Sequence, residues 1–215
     1  ESRKEKDLQK FWRWFGKARA KQLTHAVMDM WKAFRRSVTA HCPGVVILSD
    51  TCHGIRHLLE ALNTVRKQAF TRAGTSMNGL LCGKKFLLRS RQAHVRGKAR
   101  VALNQLLRAN RRLLKAHRRT ESFGHLGSYR STTGARTFFT QGVAPLPWSR
   151  LAPYQKFVRM VERHLEGILA ACDTPVSLGT IEGTNLKARN LNRRADGYRD
   201  TEDLQLKILQ GCSSL

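Results

Sequence analysis

The sequence predicts a helix-rich α/β chain in which a small parallel sheet is followed by a large, mainly helical insertion. Two short apolar runs carry the sheet: HAVMDMW at 25–31 and VVILSD at 45–50, the second being the clearest strand of the chain. Each precedes a segment with helical apolar spacing. A strand–helix–strand–helix order points to parallel pairing through right-handed crossovers. Beyond residue 73 the apolar repeats have helical spacing and are joined by Gly-, Ser- and Thr-rich connections. The layout divides into 1–72, with strands near 25–30 and 45–50; a helical insertion over 73–178; and a return helix with a C-terminal helix over 179–215.

Taken in order, residues 3–18 set Leu8, Phe11, Trp12 and Phe15 at helical spacing among lysines and arginines. This predicts an amphipathic helix with its aromatics in the core. HAVMDMW meets Asp29 and passes into a helix through Phe34 and Val38, closed by Pro43-Gly44. VVILSD ends on Asp50, and Ile55, Leu58, Leu59, Leu62 and Val65 line one side of the helix that follows. After the connection AGTSMNGLLCG, residues Lys98 to His117 read as one long basic helix, with Leu103, Leu106, Leu107, Leu113 and Leu114 as its apolar stripe. The stretch 122–148 reads as loops with short helices. Gln155 to Cys172 is an amphipathic helix on Phe157, Val158, Val161, Leu165, Ile168 and Leu169. DTPVSLGT is a turn, Thr180 an N-cap for the helix that carries Glu182, and Glu202 to Gln210 a short last helix.

Charge narrows the function classes. The 215 residues hold 40 Lys+Arg against 15 Asp+Glu, a net charge of +25. An enzyme acting on a small metabolite has no need of such an excess; the natural partner is a polyanion bound with counterion release. Residues 61–120 contain 16 Lys+Arg and no Asp or Glu, whereas a merely solvated face mixes both signs. No run approaches the ~18 apolar residues of a membrane span. The opening ESRKEKDLQK does not read as a signal peptide, so a cytoplasmic location is expected. The five cysteines include no CxxC pair and read as incidental thiols in a reducing compartment.

Carboxylates stand where chemistry could use them. In open α/β sheets, ligands bind beyond the C-terminal ends of the strands, the position of both Asp29 and Asp50. On the 179–199 stretch, steps of 100° place Arg189 and Arg193 within about 20° of Glu182 and Asn185 within about 60°. Ile181, Thr184, Ala188, Leu191 and Ala195 lie on the other side. A carboxylate aimed at a charged ligand would have this face, and so would a first-turn Glu favouring the helix dipole above solvated cations. A strand-end Asp can likewise simply cap the next helix. In a strongly basic protein, a strand-end Asp with a distant helical Glu suits phosphodiester cleavage and strand transfer. That chemistry uses two hard cations held about 3.5–4 Å apart by carboxylates. Spacing alone does not link Asp29 to Glu182.

Four blocks carry a resemblance: AVMDMWKAFRRSV, VVILSDTCHGIRHLLEALNTVRK, LAPYQKFVRMVERHLEGI and VSLGTIEGTNLKARNLNRRADGYRDTEDLQLKIL. The DMW before a helix, the strand ending in DxxH, and EGxNxK leading into RRxxGYR are collectively specific. Through them the chain resembles bacterial insertion-sequence transposases of the DDE type, in the ISL-three group. The resemblance implies an RNase H-like core with a helical insertion, two Mg²⁺ or Mn²⁺ ions in the complete site, and action on double-stranded transposon-end and target DNA by a homo-oligomer. It matches Asp29 to the second catalytic acid and metal ligand, and Glu182 to the last. Asp50 and His53 match the DxxH motif as neighbouring-site or structural residues, His53 being either a helix-start histidine bonded to Asp50 or a direct participant, and Asn185 matches the tail motif as a site-supporting residue. Lys187, Arg189, Arg193, Arg194 and Arg199 contact DNA phosphates.

Some features depart from the family. No convincing first acid precedes Asp29, since Glu1, Glu5 and Asp7 lie in a charged, helix-like segment. The chain therefore reads as the C-terminal part of a catalytic region, unable by itself to assemble a full metal site. TCH stands where the family carries an aromatic between Asp50 and His53, and Asp196 where an aromatic precedes GYR. Two rival readings are a non-catalytic DNA- or RNA-binding remnant using the 61–120 block, and an interaction module whose helical insertion docks another copy.

Overall fold

The computed structural model describes residues 5–72, 82–126, 129–143, 150–174, 178–194 and 200–212. The chain divides into two compact units, Glu1–Thr174 and Pro175–Leu215.

The first unit opens with α1 (Glu5–Phe15) and the short α2 (Lys17–Gln22). Gly16 separates them at φ 84°, a left-handed conformation that ends the first helix before the expected 18. β1 (His25–Met28) leads to α3 (Lys32–His41), and β2 (Val46–Ser49) to the long α4 (Thr51–Arg72). The strands pair in parallel, as their order required, with Met28 opposite Ser49. Among the described residues the sheet has two strands, and the rest of the regular structure is helical.

The aromatics of α1 divide between core and surface. Trp12 is buried, donates from Nε1 to Ser37 Oγ at 2.7 Å and stacks on His41 at 4.8 Å. It ties α1 to α3. Phe11 and Trp14 face out, at 43% and 51% exposure, so a single stripe cannot describe this helix.

The first unit continues with α5 (Lys85–Arg89), a short 3₁₀ turn (Gln92–His94), α6 (Gly97–Ala109), α7 (Arg111–Phe123), α8 (Thr132–Val143) and α9 (Ala152–Asp173). The long helix expected over 98–117 is in fact two. Asn110 leaves helical geometry, and its side chain accepts from the Leu113 backbone N–H at 2.8 Å, capping a new helix. The apolar stripe runs on across the break, which is why periodicity alone joined the halves. Leu103, Leu106, Leu107 and Leu113 meet Leu58, Leu62 and Val65 of α4 and the apolar side of α9 in one core. Buried Tyr154 donates to the Ala116 carbonyl at 2.7 Å and shares a 2.6 Å bond with Thr120 Oγ1. Burial raises its phenol well above the usual range. Burial likewise lowers the His117 imidazole.

α9 lies against β2, and Gly167 makes the approach possible. A Cβ there would sit 2.5 Å from Ser49 Oγ, 3.1 Å from the Ile47 carbonyl and 3.3 Å from the Ser49 nitrogen. The last two are backbone atoms and cannot turn aside. Gly167→Ala is therefore expected to cost about 1–3 kcal/mol through overpacking, despite the better helix propensity of Ala. A urea denaturation midpoint equal to wild type would show that helix and strand have room to separate.

In the second unit, α10 (Leu178–Arg194) packs beside α11 (Thr201–Cys212), with Leu191 touching the Gly211 position. Thr180 is not the N-cap: the chain is already helical at Leu178, and the Thr180 carbonyl accepts from Thr184 Oγ1 at 3.0 Å. No described helix is long and apolar enough to cross a membrane.

Candidate active site

The site is built where β1 and β2 end. Because Met28 pairs with Ser49, the next residue on each strand is an aspartate, and the Asp50 N–H still donates to the Met28 carbonyl at 3.0 Å. Asp29 and Asp50 thus leave adjacent strands at the same edge. Asp29 is anchored through Oδ1, which accepts from the Met30 N–H at 2.6 Å. α4 starts immediately after Asp50 and puts His53 on its first turn. His53 Nδ1 donates to Asp50 Oδ2 at 2.7 Å, the bond expected from the i, i+3 spacing. The ring also reaches the other strand: Nε2 is 3.4 Å from Asp29 Oδ2, with Arg56 Nη1 3.5 Å away. One imidazole spans both carboxylates, and all three groups are partly buried.

Two contributors were not singled out from the sequence, although both lie in blocks that carry the resemblance. Arg56 follows His53 by one short helical step, yet no motif marked it. His164 belongs to α9, far along the chain, and lies within electrostatic reach of Asp29. Its imidazole is held below the usual range by burial first, then by the positive charges of Arg35, Arg163 and Lys32, against the opposing pull of Asp29. The cations of α3 and α9 therefore act on the same place as the strand-end carboxylate.

Glu182 lies on α10, in the second unit. It is exposed, as are Asn185, Lys187, Arg189, Arg193 and Arg194, while Ile181, Thr184, Ala188 and Leu191 are half-buried. The two faces predicted by the 100° steps are thus present for these residues. Arg199 lies outside the described residues, as do Ala195, Asp196 and Tyr198.

The basic block 61–120 is mixed in use. Lys67, Arg72, Lys85, Arg89, Arg96, Lys98, Arg108, Arg111, Lys115 and Arg118 are exposed. Others bond within the fold: Arg91 donates to the Gly124 carbonyl at 3.3 Å, Arg112 to Gln68 Oε1 at 3.1 Å, Arg119 to the Gly142 carbonyl at 3.2 Å, and Arg100 to the Gln92 carbonyl. Part of the block is thus internal fastening. Among the described residues, no group of three or more His, Cys, Asp or Glu side chains is arranged to hold a metal ion.

A carboxylate held at a sheet edge, with a histidine beside it, in a strongly basic chain is equipped to meet a phosphate ester. A family model described as transposase, of the DDE ISL-three type, matches residues 1–208, and the chain belongs to this family. It is 28% identical over 193 residues to the transposase for insertion sequence element IS1001 of Bordetella parapertussis, covering 88% of this chain and 47% of that protein. It is 25% identical over 212 residues to the transposase for insertion sequence element IS1557 of Mycobacterium tuberculosis, covering 88% of this chain and 48% of that protein. The chain thus spans about half the length of these curated relatives. No solved structure matches it significantly.

Proposed function

We propose that the chain is the part of a DNA transposase that carries the second and last carboxylates of its site, Asp29 and Glu182. The observation that carries this is the delivery of Asp29 to the edge of a parallel strand pair, where the Met30 N–H holds one carboxylate oxygen and His53 Nε2 lies 3.4 Å from the other. In this reading residues 1–72 belong to an RNase H-like core, 73–178 form the helical insertion, and the 179–215 segment returns the last acid.

The donor chemistry fits a divalent ion: Asp29 and Glu182 offer carboxylate oxygens, the hard donors that Mg²⁺ takes. When bound, a pair of such ions activates the attacking water or 3′-hydroxyl and stabilises the leaving oxygen. The protein residues do the rest. The Met30 N–H holds one Asp29 oxygen, His53 lies beside the other, and Asp50 aims the His53 ring from the far side. Asn185 sits beside Glu182, and Lys187, Arg189, Arg193, Arg194 and Arg199 neutralise phosphates on either side of the reacting one. The donor set available in 1–215 is one carboxylate short of a DDE triad, so these residues alone do not cut DNA efficiently. The complete protein works on transposon-end and target DNA as a homo-oligomer.

Fe²⁺ in place of Mg²⁺ provides a test that does not depend on turnover. With peroxide and ascorbate, main-chain cuts are expected beside Asp29 and beside Glu182, competed by Mg²⁺ and weakened at both places by Asp29→Asn. Scattered cuts, or cuts unchanged by that substitution, would overturn the assignment.

A further inference from the structure

α3 has two different sides. Ser37, Val38 and His41 face α1, where Trp12 bonds and stacks against them. The opposite side carries Lys32, Arg35, Arg36 and Thr39 around a shallow depression of about 460 Å³. The helix contains no acidic residue. Among the described residues, none of Lys32, Arg35 and Arg36 is in an ion pair.

This face adjoins the carboxylates. Lys32 follows Asp29 by three positions, and Lys32 and Arg35 act electrostatically on His164 together with Asp29 and Arg163. Three cations from two helices, Lys32, Arg35 and Arg163, thus act on the same histidine as the strand-end carboxylate of Asp29. Like charges so placed repel one another, and an anion entering the depression relieves that repulsion. Lys32 and Arg36 are exposed and can follow a moving ligand, whereas Arg35 is half-buried and offers a more fixed fork. Guanidinium forks match phosphate oxygens in pairs.

We propose that Lys32, Arg35 and Arg36 of α3, with Arg163 of α9, bind consecutive backbone phosphates of a nucleic-acid strand and lay it across Asp29. This rests on reading Asp29 as a site carboxylate. It adds a strand-guiding surface on the first unit, carried by other helices than the cations that follow Glu182. The contacts are to the backbone and therefore independent of sequence.

The test measures binding of the full 215-residue chain to short labelled duplexes by fluorescence anisotropy over a range of salt. Combining Lys32→Gln, Arg35→Gln and Arg36→Gln is expected to make the slope of log K against log salt shallower by about 3, roughly one per lost phosphate contact. The loss should be the same for unrelated sequences. The pair Lys32→Gln and Arg36→Gln, both exposed, guards against misfolding and should remove about 2. Circular dichroism and the urea midpoint verify the fold. An unchanged slope in folded variants would overturn the proposal. So would a folded triple variant that loses binding of inorganic phosphate but keeps the DNA slope, because the depression would then be a free-anion site. If instead the Fe²⁺ cuts beside Asp29 fail while the slope falls as stated, the strand contact stands and the metal assignment is what fails.

Discussion

Asp29→Asn lowers Mg²⁺-dependent cleavage of transposon-end DNA by on the order of 10³-fold or more, the scale of losing a group that stabilises charge in the transition state. The measurement uses a chimera in which the Bordetella IS1001 relative supplies the remaining half of the polypeptide. Asn keeps the shape of the side chain, and its amide oxygen can still accept from the Met30 N–H. What it removes is the charge that a hard cation needs. DNA affinity should hold or rise slightly, because a negative charge has left a basic surface. Asp50→Asn separates the roles of the two strand-end acids. On the proposed reading Asp50 acts through His53, to which it is hydrogen-bonded, so its loss should cost only about 10- to 100-fold, as expected of a group that orients a ligand from behind. Equal losses from both substitutions would make Asp50 a direct participant. Cleavage within a few-fold of wild type in Asp29→Asn would remove Asp29 from the chemistry.

DNA affinity of the chain falls about 10³- to 10⁵-fold between 50 and 200 mM salt if 6–10 phosphates are contacted. The exposed cations of the 61–120 block, the α3 face and the Glu182 helix can supply that many. The upper end is not expected, since Arg91, Arg100, Arg112 and Arg119 already donate to acceptors within the protein. Anisotropy titrations at several salt concentrations give the slope directly. Glu182→Gln separates binding from chemistry: a catalytic Glu182 leaves the slope nearly unchanged in the chain while abolishing cleavage in the chimera. Affinity that barely responds to salt would argue against a nucleic-acid role for the charge altogether.

Much of the first unit was legible because its signals are local. Short apolar runs make strands, and strand–helix order makes them parallel. A histidine three residues after an aspartate meets it across one helical turn. The register was less legible. That Met28 and Ser49 pair, and so bring both aspartates out together, depends on how two segments slide past each other. The break at Asn110 was hidden because the leucine stripe continues through it. The close approach at Gly167 was hidden because a helical glycine looks only like a weak helix former.

By itself the sequence determined the charge, the amphipathic faces and the motif residues, including the side of its helix on which Glu182 lies. These follow from residue type and a repeat of 3.6 or 2 along one segment. Only the tertiary structure decided that His53 touches Asp29 as well as Asp50, and that α9 brings His164 and Arg163 to the place where α3 brings Lys32 and Arg35. The physical reason is that such contacts join residues with no fixed spacing in the chain. They are set by the packing of α9 on β2, which a glycine without a side chain permits.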